Sequence, residues 1–142
     1  MAFRLTKKIR FGDIDAAGIA YYPKIVDYFH LALEEFFAAE VGLPYAEVIT
    51  EQRIGFPTVH LQVDFQRPLS YGDEVDILVS VERCGESSVT WSYVIELDGA
   101  TCVLASVTTV TVNLDNLRPV DTPEAIREVL QGFVAQAASR GV

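Results

Sequence analysis

The segment FGDIDAAGIAYYP, residues 11–23, holds the side chains best suited to chemistry. Asp13 and Asp15 lie one residue apart, and two alanines and Gly18 follow them. A carboxylate in such a loop can act as a nucleophile or as a general base towards water. The small residues beside it would let a ligand approach the backbone closely. The residue types therefore favour a hydrolytic site in this segment.

The same segment leads into the start of a helix. Pro23 suits the first helical position, because its missing N–H costs no hydrogen bond there. The first N–H groups of a helix lack partners and carry the positive end of its dipole, so they can stabilise an oxyanion. Aspartates are also common in turns and at helix starts. A purely structural role for Asp13 and Asp15 is therefore the alternative.

The helix that follows is long and broadly apolar. From residue 23 to residue 42, apolar side chains such as Ile25, Phe29 and Phe36 recur at helical spacing. Gly42 then predicts the end of the helix. An apolar face of this width indicates that other elements surround most of the helix.

The rest of the chain reads mainly as strands. Alternating side chains predict strands at 3–11, 58–66, 74–82, 89–97 and 101–114, with a terminal helix at 121–138. Asp98-Gly99 predicts a hairpin turn, and residues 44–52 form a short helix or an irregular excursion.

A sheet with one apolar face needs a cover, and the long helix is the obvious one. The sequence therefore predicts an α+β fold, in which a five-stranded antiparallel sheet wraps around a long central helix and a C-terminal helix closes the chain. The cone-shaped sheet of ketosteroid-isomerase and cystatin-like proteins also fits. That fold usually starts with helices and without a preceding strand, so the first arrangement is favoured.

Length and charge limit the classes of partner. The 142 residues fit a single domain, 1–142. A net charge of −9 argues against nucleic acid as the main partner. A phosphate-bearing small molecule needs only a few local cations. Arg53, Arg67 and Arg83 are candidates for that role, although solvated surface charge is the more common role for such residues.

The cysteines and the N-terminus predict the surroundings of the protein. Cys84 and Cys102 are not in a metal-ligand spacing, so no metal site is expected. Free thiols are typical of a reducing cytoplasm. The N-terminal residues lack the apolar core of a signal peptide, and no apolar run has the length of a membrane span. A cytoplasmic protein without a membrane partner is predicted.

Two stretches carry a family resemblance. FGDIDAAGIAYYPKIVDYF resembles the signature of the 4-hydroxybenzoyl-CoA thioesterase family of hotdog-fold proteins. FPTVHLQVDFQRPLSYGDEVDI resembles, more loosely, the second and third strands of that family with their R-P-x-x-x-G-D turn. Together the resemblance covers most of the chain except the C-terminal helix. It implies a hotdog fold and an acyl-CoA thioesterase that needs no cofactor, because coenzyme A is part of the substrate.

The resemblance also implies roles for particular residues. Asp15 matches the catalytic carboxylate of the family, and Tyr22 matches the residue whose backbone N–H polarises the thioester carbonyl. Asp13 matches an acid that holds the loop. Gly18 would keep the loop open for the acyl group.

Two further positions are candidate substrate contacts. In family members that act on 4-hydroxybenzoyl-CoA, an aspartate on the central helix holds the ring hydroxyl, and His30 occupies that position here. An imidazole can donate or accept a hydrogen bond, so His30 could still recognise a polar substituent. The alternative is that His30 belongs to a polar strip with Asp27 and Glu34. Gly55, at a predicted strand start, either lets a ligand approach or simply forms a turn.

The resulting hypothesis is an enzyme that hydrolyses an aromatic or short- to medium-chain acyl-CoA to free acid and CoA. In the resembled family the site lies between subunits, which implies a homodimer or a tetramer of two dimers. A non-catalytic acyl-CoA-binding hotdog protein is the alternative, and such a protein would have no need of a carboxylate at Asp15.

Overall fold

The computed structural model describes the backbone of residues 2–140 and the side chains of residues 2–134. The predicted domain ends, residues 1 and 142, lie outside the described residues. The α-helices of the described residues are α1 (Tyr22–Phe36), α2 (Tyr45–Thr50) and α3 (Glu124–Arg140). The strands are β1 (Phe3–Lys8), β2 (Ile54–Gly55), β3 (Thr58–Phe65), β4 (Glu74–Cys84), β5 (Ser88–Leu97), β6 (Ala100–Val110), β7 (Val112–Asn113) and β8 (Arg118–Pro119).

The main sheet has five antiparallel strands in the order β1-β4-β5-β6-β3. Short connections join β4 to β5 and β5 to β6, and the second of these is the predicted Asp98-Gly99 turn. Both of its residues have positive φ, 52° and 80°, as a two-residue hairpin requires. Strands β2, β7 and β8 form a separate small sheet. The predicted five-stranded sheet is confirmed.

Helix α1 packs against one face of the main sheet. Phe36 is fully buried at its C-terminal end, and its ring lies 5.5 Å from that of Trp91 and 5.0 Å from that of Phe133. About two turns earlier in the helix, the Phe29 ring stacks on that of Tyr93, with the ring centres 5.0 Å apart. Burying an aromatic side chain of this size contributes roughly 1.5–3 kcal/mol. These contacts hold the helix, and therefore its N-terminus, at a defined place on the sheet.

The element ends differ slightly from the predicted ones. Helix α1 begins at Tyr22, so Pro23 is its second residue rather than its first. A π-helical turn, Phe37–Val41, extends it to Gly42, whose φ of 79° ends the helix as predicted. The predicted last strand breaks at Thr111, because the residues beyond it leave the main sheet and pair with β2. Residues 45–50 form the short helix that was one of two alternatives.

Strand β3 lies at one edge of the main sheet, with β6 as its neighbour there. It carries apolar side chains that α1 does not cover, since Val59, Leu61 and Phe65 are 60%, 45% and 49% exposed. The unpaired edge of such a strand can accept another strand. Among the described residues, no helix combines the length and apolar character of a membrane span.

Candidate active site

The aspartate loop is a tight hairpin between Ile14 and Ala20. Within it the Asp15 N–H donates to the Ile19 carbonyl (3.0 Å), and the Gly18 N–H donates to the Asp15 carbonyl (2.9 Å). Gly18 has a φ of 85°, a backbone conformation that favours glycine. This turn conformation is a sufficient reason for a glycine at position 18, whether or not a ligand binds there. The predicted role of Gly18 in keeping the loop open for an acyl group stays a prediction.

The Asp15 carboxylate points away from the core. One of its oxygens, Oδ1, accepts the Ala17 N–H at 2.8 Å, which closes the turn. The second oxygen makes no hydrogen bond within the described residues, and the residue is exposed. Asp15 therefore offers a free carboxylate oxygen at the protein surface of the single chain.

Asp13 has the opposite surroundings. It is 4% exposed, and its Oδ2 accepts the Arg10 N–H at 3.1 Å and lies 3.8 Å from Lys7 Nζ. Its backbone carbonyl accepts the Tyr21 N–H at 2.8 Å. Burial disfavours the charged form, but the Arg10 hydrogen bond and the neighbouring cations outweigh it and lower the pKa of Asp13. Asp13 thus joins the loop to the residue that precedes α1.

The start of α1 has one free backbone donor. The N–H groups of Lys24 and Ile25 both donate to the Tyr21 carbonyl, at 2.8 and 3.3 Å, and Pro23 has no N–H. Within the described residues, the Tyr22 N–H has no acceptor. It therefore remains available for an oxyanion at the positive end of the helix.

A cavity of about 260 Å³ adjoins this donor, and we call it the Tyr22 cavity. Its walls are mostly apolar and come from the loop, the first turn of α1 and the chain after β3. They are formed by Ile19, Ala20, Tyr22, Ile25, Phe65, Gln66, Arg67, Pro68 and Leu69. Asp15 is not among the residues that line it. Tyr22 thus carries both the free N–H and part of the cavity wall, but the single chain does not bring Asp15 into that wall.

A second cavity, of about 410 Å³, lies further along α1 and contains His30, so we call it the His30 cavity. Aromatic and aliphatic side chains form most of its surface, with a few hydroxyl groups. Its lining residues are Val26, Phe29, His30, Leu33, Tyr45, Phe56, Thr58, Leu61, Tyr93, Val107 and Thr109. Such a mixture is typical of a pocket for a small organic ligand.

Side chains of α1 line both cavities. Tyr22, Val26 and His30 follow one another at intervals of four residues, so they share one helix face. The rise from Tyr22 to His30 is about 12 Å. An acyl group whose carbonyl meets the Tyr22 N–H could therefore extend along the helix towards the imidazole.

The structure places His30 beside a polar neighbour and in a cavity wall, and its role as a substrate contact stays a prediction. Its Nε2 lies 3.2 Å from Glu34 Oε2 on the same helix, and its ring packs edge-on against Tyr45 at 5.4 Å. The ring also forms part of the cavity wall. His30 is thus held by a polar neighbour and remains in reach of a ligand.

Gly55 has a packing explanation. A Cβ at this position would lie 2.5 Å from Leu114 Cδ2, so any larger residue there would have to displace the leucine side chain. Its neighbour Phe56 lines the His30 cavity, whereas Gly55 does not. The substrate contact predicted for Gly55 stays a prediction. Within residues 2–134, no group of metal-ligating side chains clusters closely enough to hold a metal ion.

Several cavity residues were not predicted from the sequence. Tyr45, Phe56, Thr58 and Thr109 come from α2, the link between β2 and β3, β3 and β6, and they meet only in the folded chain. No short motif links them. The one available signal was the pair of aromatic residues in the irregular stretch between α1 and β3.

Comparison with known proteins agrees with this geometry. A model of the thioesterase-like superfamily matches residues 9–130. The chain therefore belongs to this superfamily, and its fold is the hotdog fold that the sequence predicted.

Individual relatives narrow the similarity further. The chain is 32% identical over 115 residues to a 1,4-dihydroxy-2-naphthoyl-CoA hydrolase of Nostoc punctiforme, covering 81% of this chain and 76% of that protein. It is also similar to a solved gentisyl-coenzyme A thioesterase, with 29% identity, a TM-score of 0.80 and coverage of 88% of this chain and 99% of the other. A 1,4-dihydroxy-2-naphthoyl-CoA thioesterase from Synechocystis shares the fold, with a TM-score of 0.85, 20% identity and coverage of 92% of this chain and 96% of the other.

These relatives are named as CoA hydrolases and thioesterases. The predicted class of enzyme, an acyl-CoA thioester hydrolase, is therefore confirmed. The narrower resemblance to the 4-hydroxybenzoyl-CoA branch stays a prediction.

Proposed function

We propose that this chain hydrolyses acyl-CoA thioesters with a hydroxylated aromatic acyl group, releasing the free acid and CoA. The observation that carries the proposal is that Tyr22, whose N–H has no acceptor within the described residues, lines an apolar cavity next to a loop that holds two aspartates. The aromatic walls and hydroxyl groups of the His30 cavity support the choice of acyl group. The acyl groups in the names of the relatives support it as well.

The proposed chemistry needs one carboxylate and one donor. Asp15 attacks the thioester carbon, or removes a proton from a water molecule that attacks it. The carbonyl oxygen becomes negatively charged and accepts the Tyr22 N–H. The C–S bond then breaks, and the CoA thiolate leaves and takes up a proton. In the first route, water afterwards hydrolyses the anhydride between Asp15 and the acyl group.

The acyl group would lie along α1 with its ring in the His30 cavity. The imidazole, held by Glu34 at 3.2 Å, can donate or accept a hydrogen bond with a ring hydroxyl. A hydroxylated ring would thus be preferred over an unsubstituted one of the same size.

A second copy of the chain would complete this site. Asp15 is exposed in the single chain and does not line the Tyr22 cavity, while strand β3 presents an uncovered apolar edge beside that cavity. We infer a homodimer, or a tetramer of two dimers, in which the partner encloses the carboxylate. A cytoplasmic location, expected from the free Cys84 and Cys102, belongs to the same proposal.

The direct test is thiol release from a panel of acyl-CoAs by the wild-type protein and by Asp15→Asn. The panel contains 1,4-dihydroxy-2-naphthoyl-, gentisyl-, 4-hydroxybenzoyl-, benzoyl- and hexanoyl-CoA. Loss of the carboxylate should lower kcat on the best substrate by about 100-fold or more, with little change in the Kd for CoA. Asp121→Asn, an exposed aspartate before α3, is the matched control and should retain activity.

The same panel tests the alternative of a non-catalytic binder. A wild-type protein that binds these thioesters and releases no thiol from any of them would establish the binder and reject the hydrolase. If hexanoyl-CoA is hydrolysed fastest, the protein is a thioester hydrolase but the proposed preference for an aromatic acyl group is wrong. Incorporation of oxygen-18 into the carboxylate of Asp15 in a single turnover would identify the anhydride route.

A further inference from the structure

The three arginines that the sequence marked as phosphate contacts have different surroundings. Arg53 is paired, with its Nε 3.1 Å from Asp115 Oδ1. Arg83 lies near the end of β4, away from the cavities described above. Arg67 lines the Tyr22 cavity, beside the proposed oxyanion donor. The folded chain thus selects one arginine of the three.

Arg67 lies between two cavities. The first is the Tyr22 cavity. The second has a volume of about 360 Å³ and lies beside the turn between β5 and β6, so we call it the hairpin cavity. It is lined by Arg67, Pro68, Leu97, Asp98, Ala100 and Cys102. Arg67 therefore lies where the Tyr22 cavity and the hairpin cavity meet.

The backbone around Arg67 is firmly held. The N–H groups of Gln66 and Arg67 both donate to the Cys102 carbonyl, at 2.8 and 3.1 Å. Two residues further on, the Leu69 carbonyl accepts the Ala20 N–H at 2.7 Å. These bonds fix the base of the Arg67 side chain relative to the aspartate loop.

The charge of Arg67 stands out in its surroundings. Within the described residues, it is the only lysine or arginine that lines these cavities, and no carboxylate lies within ion-pair distance of it. The whole chain carries a net charge of −9, which repels an anion elsewhere on its surface. A guanidinium group binds phosphate oxygens through two parallel N–H bonds.

We propose that Arg67 binds a phosphate group of the CoA carrier as the pantetheine arm leaves the Tyr22 cavity. This inference rests on the proposed function, since it needs the thioester at Tyr22. The mostly apolar walls of the Tyr22 cavity suit the pantetheine chain, and the arginine at its exit meets the phosphate region. The diphosphate and the 3′-phosphate are the two sources of that phosphate.

Asp98 is the acidic residue that faces this region. It lies in the hairpin turn with a φ of 52° and lines the hairpin cavity. Its negative charge opposes that of a bound phosphate. Asp98→Asn should therefore bind CoA more tightly than the wild type by about twofold to fivefold.

Binding without catalysis is the first experiment. Calorimetry would measure the Kd of CoA, of dephospho-CoA and of pantetheine for the wild type, for Arg67→Gln and for the control Arg83→Gln. Arg67→Gln should weaken CoA binding by about tenfold or more and leave pantetheine binding unchanged. If Arg67→Gln also weakens the binding of dephospho-CoA, which lacks the 3′-phosphate, then Arg67 binds the diphosphate. If it weakens the binding of CoA only, then Arg67 binds the 3′-phosphate. Equal weakening by Arg83→Gln would overturn the proposal.

Kinetics provide the second experiment. The same acyl group is offered on CoA and on N-acetylcysteamine, which lacks every phosphate. Arg67→Gln should raise KM for the CoA thioester alone and should reduce its dependence on salt. An equal effect on both thioesters would refute phosphate binding by Arg67, while hydrolysis of both by the wild type would leave the proposed function standing. A wild type that hydrolyses neither would refute the function itself.

Discussion

At the scale of single residues, the two aspartates of the loop have separate tasks. The Asp15 carboxylate is exposed and keeps one oxygen free. The Asp13 carboxylate is buried and tied to Arg10 and Lys7. Two acids of the same type, one residue apart, thus acquire different chemistry from their different burial and their different hydrogen-bonding and charged neighbours. We expect the first to matter for catalysis and the second for stability.

This division predicts a pH-dependent effect of Asp13→Asn. The pKa of Asp13 is lower in the folded chain than its ordinary value, so the carboxylate stabilises the fold above about pH 4. The stabilisation is lost as the pH falls through the folded-state pKa. At pH 7 the variant should lose about 1.5–3 kcal/mol of unfolding free energy, and this difference should shrink below pH 4. Urea denaturation at several pH values measures it.

Asp76→Asn is the control for this experiment. Its carboxylate bonds Arg4 at the surface, at 2.6 Å, and exposed pairs contribute little. Its effect should stay within about 1 kcal/mol at every pH. A difference between wild type and Asp13→Asn that is constant from pH 3 to pH 7 would contradict the assigned charge.

At the scale of elements, the short pairing of β2 with β7 carries one wall of the His30 cavity, because Phe56 follows Gly55 directly. Gly55→Ala places a methyl group 2.5 Å from Leu114 Cδ2. Relieving this clash requires the leucine or the strand to move, which costs about 1–3 kcal/mol. Thermal unfolding should show the loss as a lower Tm.

The double variant Gly55→Ala/Leu114→Ala separates packing from substrate contact. If the clash is the whole effect, the Gly55→Ala change should cost much less stability in the Leu114→Ala background than in the wild type. KM should then match that of Leu114→Ala alone. A KM that stays raised in the double variant, with stability recovered, would show that Gly55 contacts the substrate.

At the scale of the whole molecule, the exposed edge of β3 is the main feature that a single chain leaves unexplained. Leu61 is 45% exposed and also lines the His30 cavity. A second copy that pairs along this edge would cover it. We predict a dimer or tetramer at micromolar concentration by light scattering. Leu61→Glu should shift this assembly towards monomer, because it places a charge at the edge.

Leu117→Glu is the matched control, since Leu117 is 69% exposed but lies in the turn between β7 and β8. It should leave the assembly intact. If Leu61→Glu yields a folded monomer with full activity, the site is complete in one chain and the inferred role of the partner is wrong. If the wild-type protein itself is a monomer by light scattering, the predicted dimer or tetramer is wrong.

The sequence by itself determined the order and type of the main elements. Helical spacing of apolar residues defined α1, strict alternation defined β4 and β5, and Gly42 and Asp98-Gly99 set their ends. These features depend on neighbours a few residues apart, which is why local patterns predict them. The aspartate loop was also predicted, because its residues and the helix start lie within one short segment.

Only the tertiary structure decided which distant residues meet. It brought Phe56, Thr58 and Thr109 to His30, and it placed Arg67 rather than Arg53 beside Tyr22. It also filled the space beside Gly55 with Leu114. Each of these contacts joins elements far apart in the chain, so it depends on strand order and on helix packing. No pattern within a single segment contains that information.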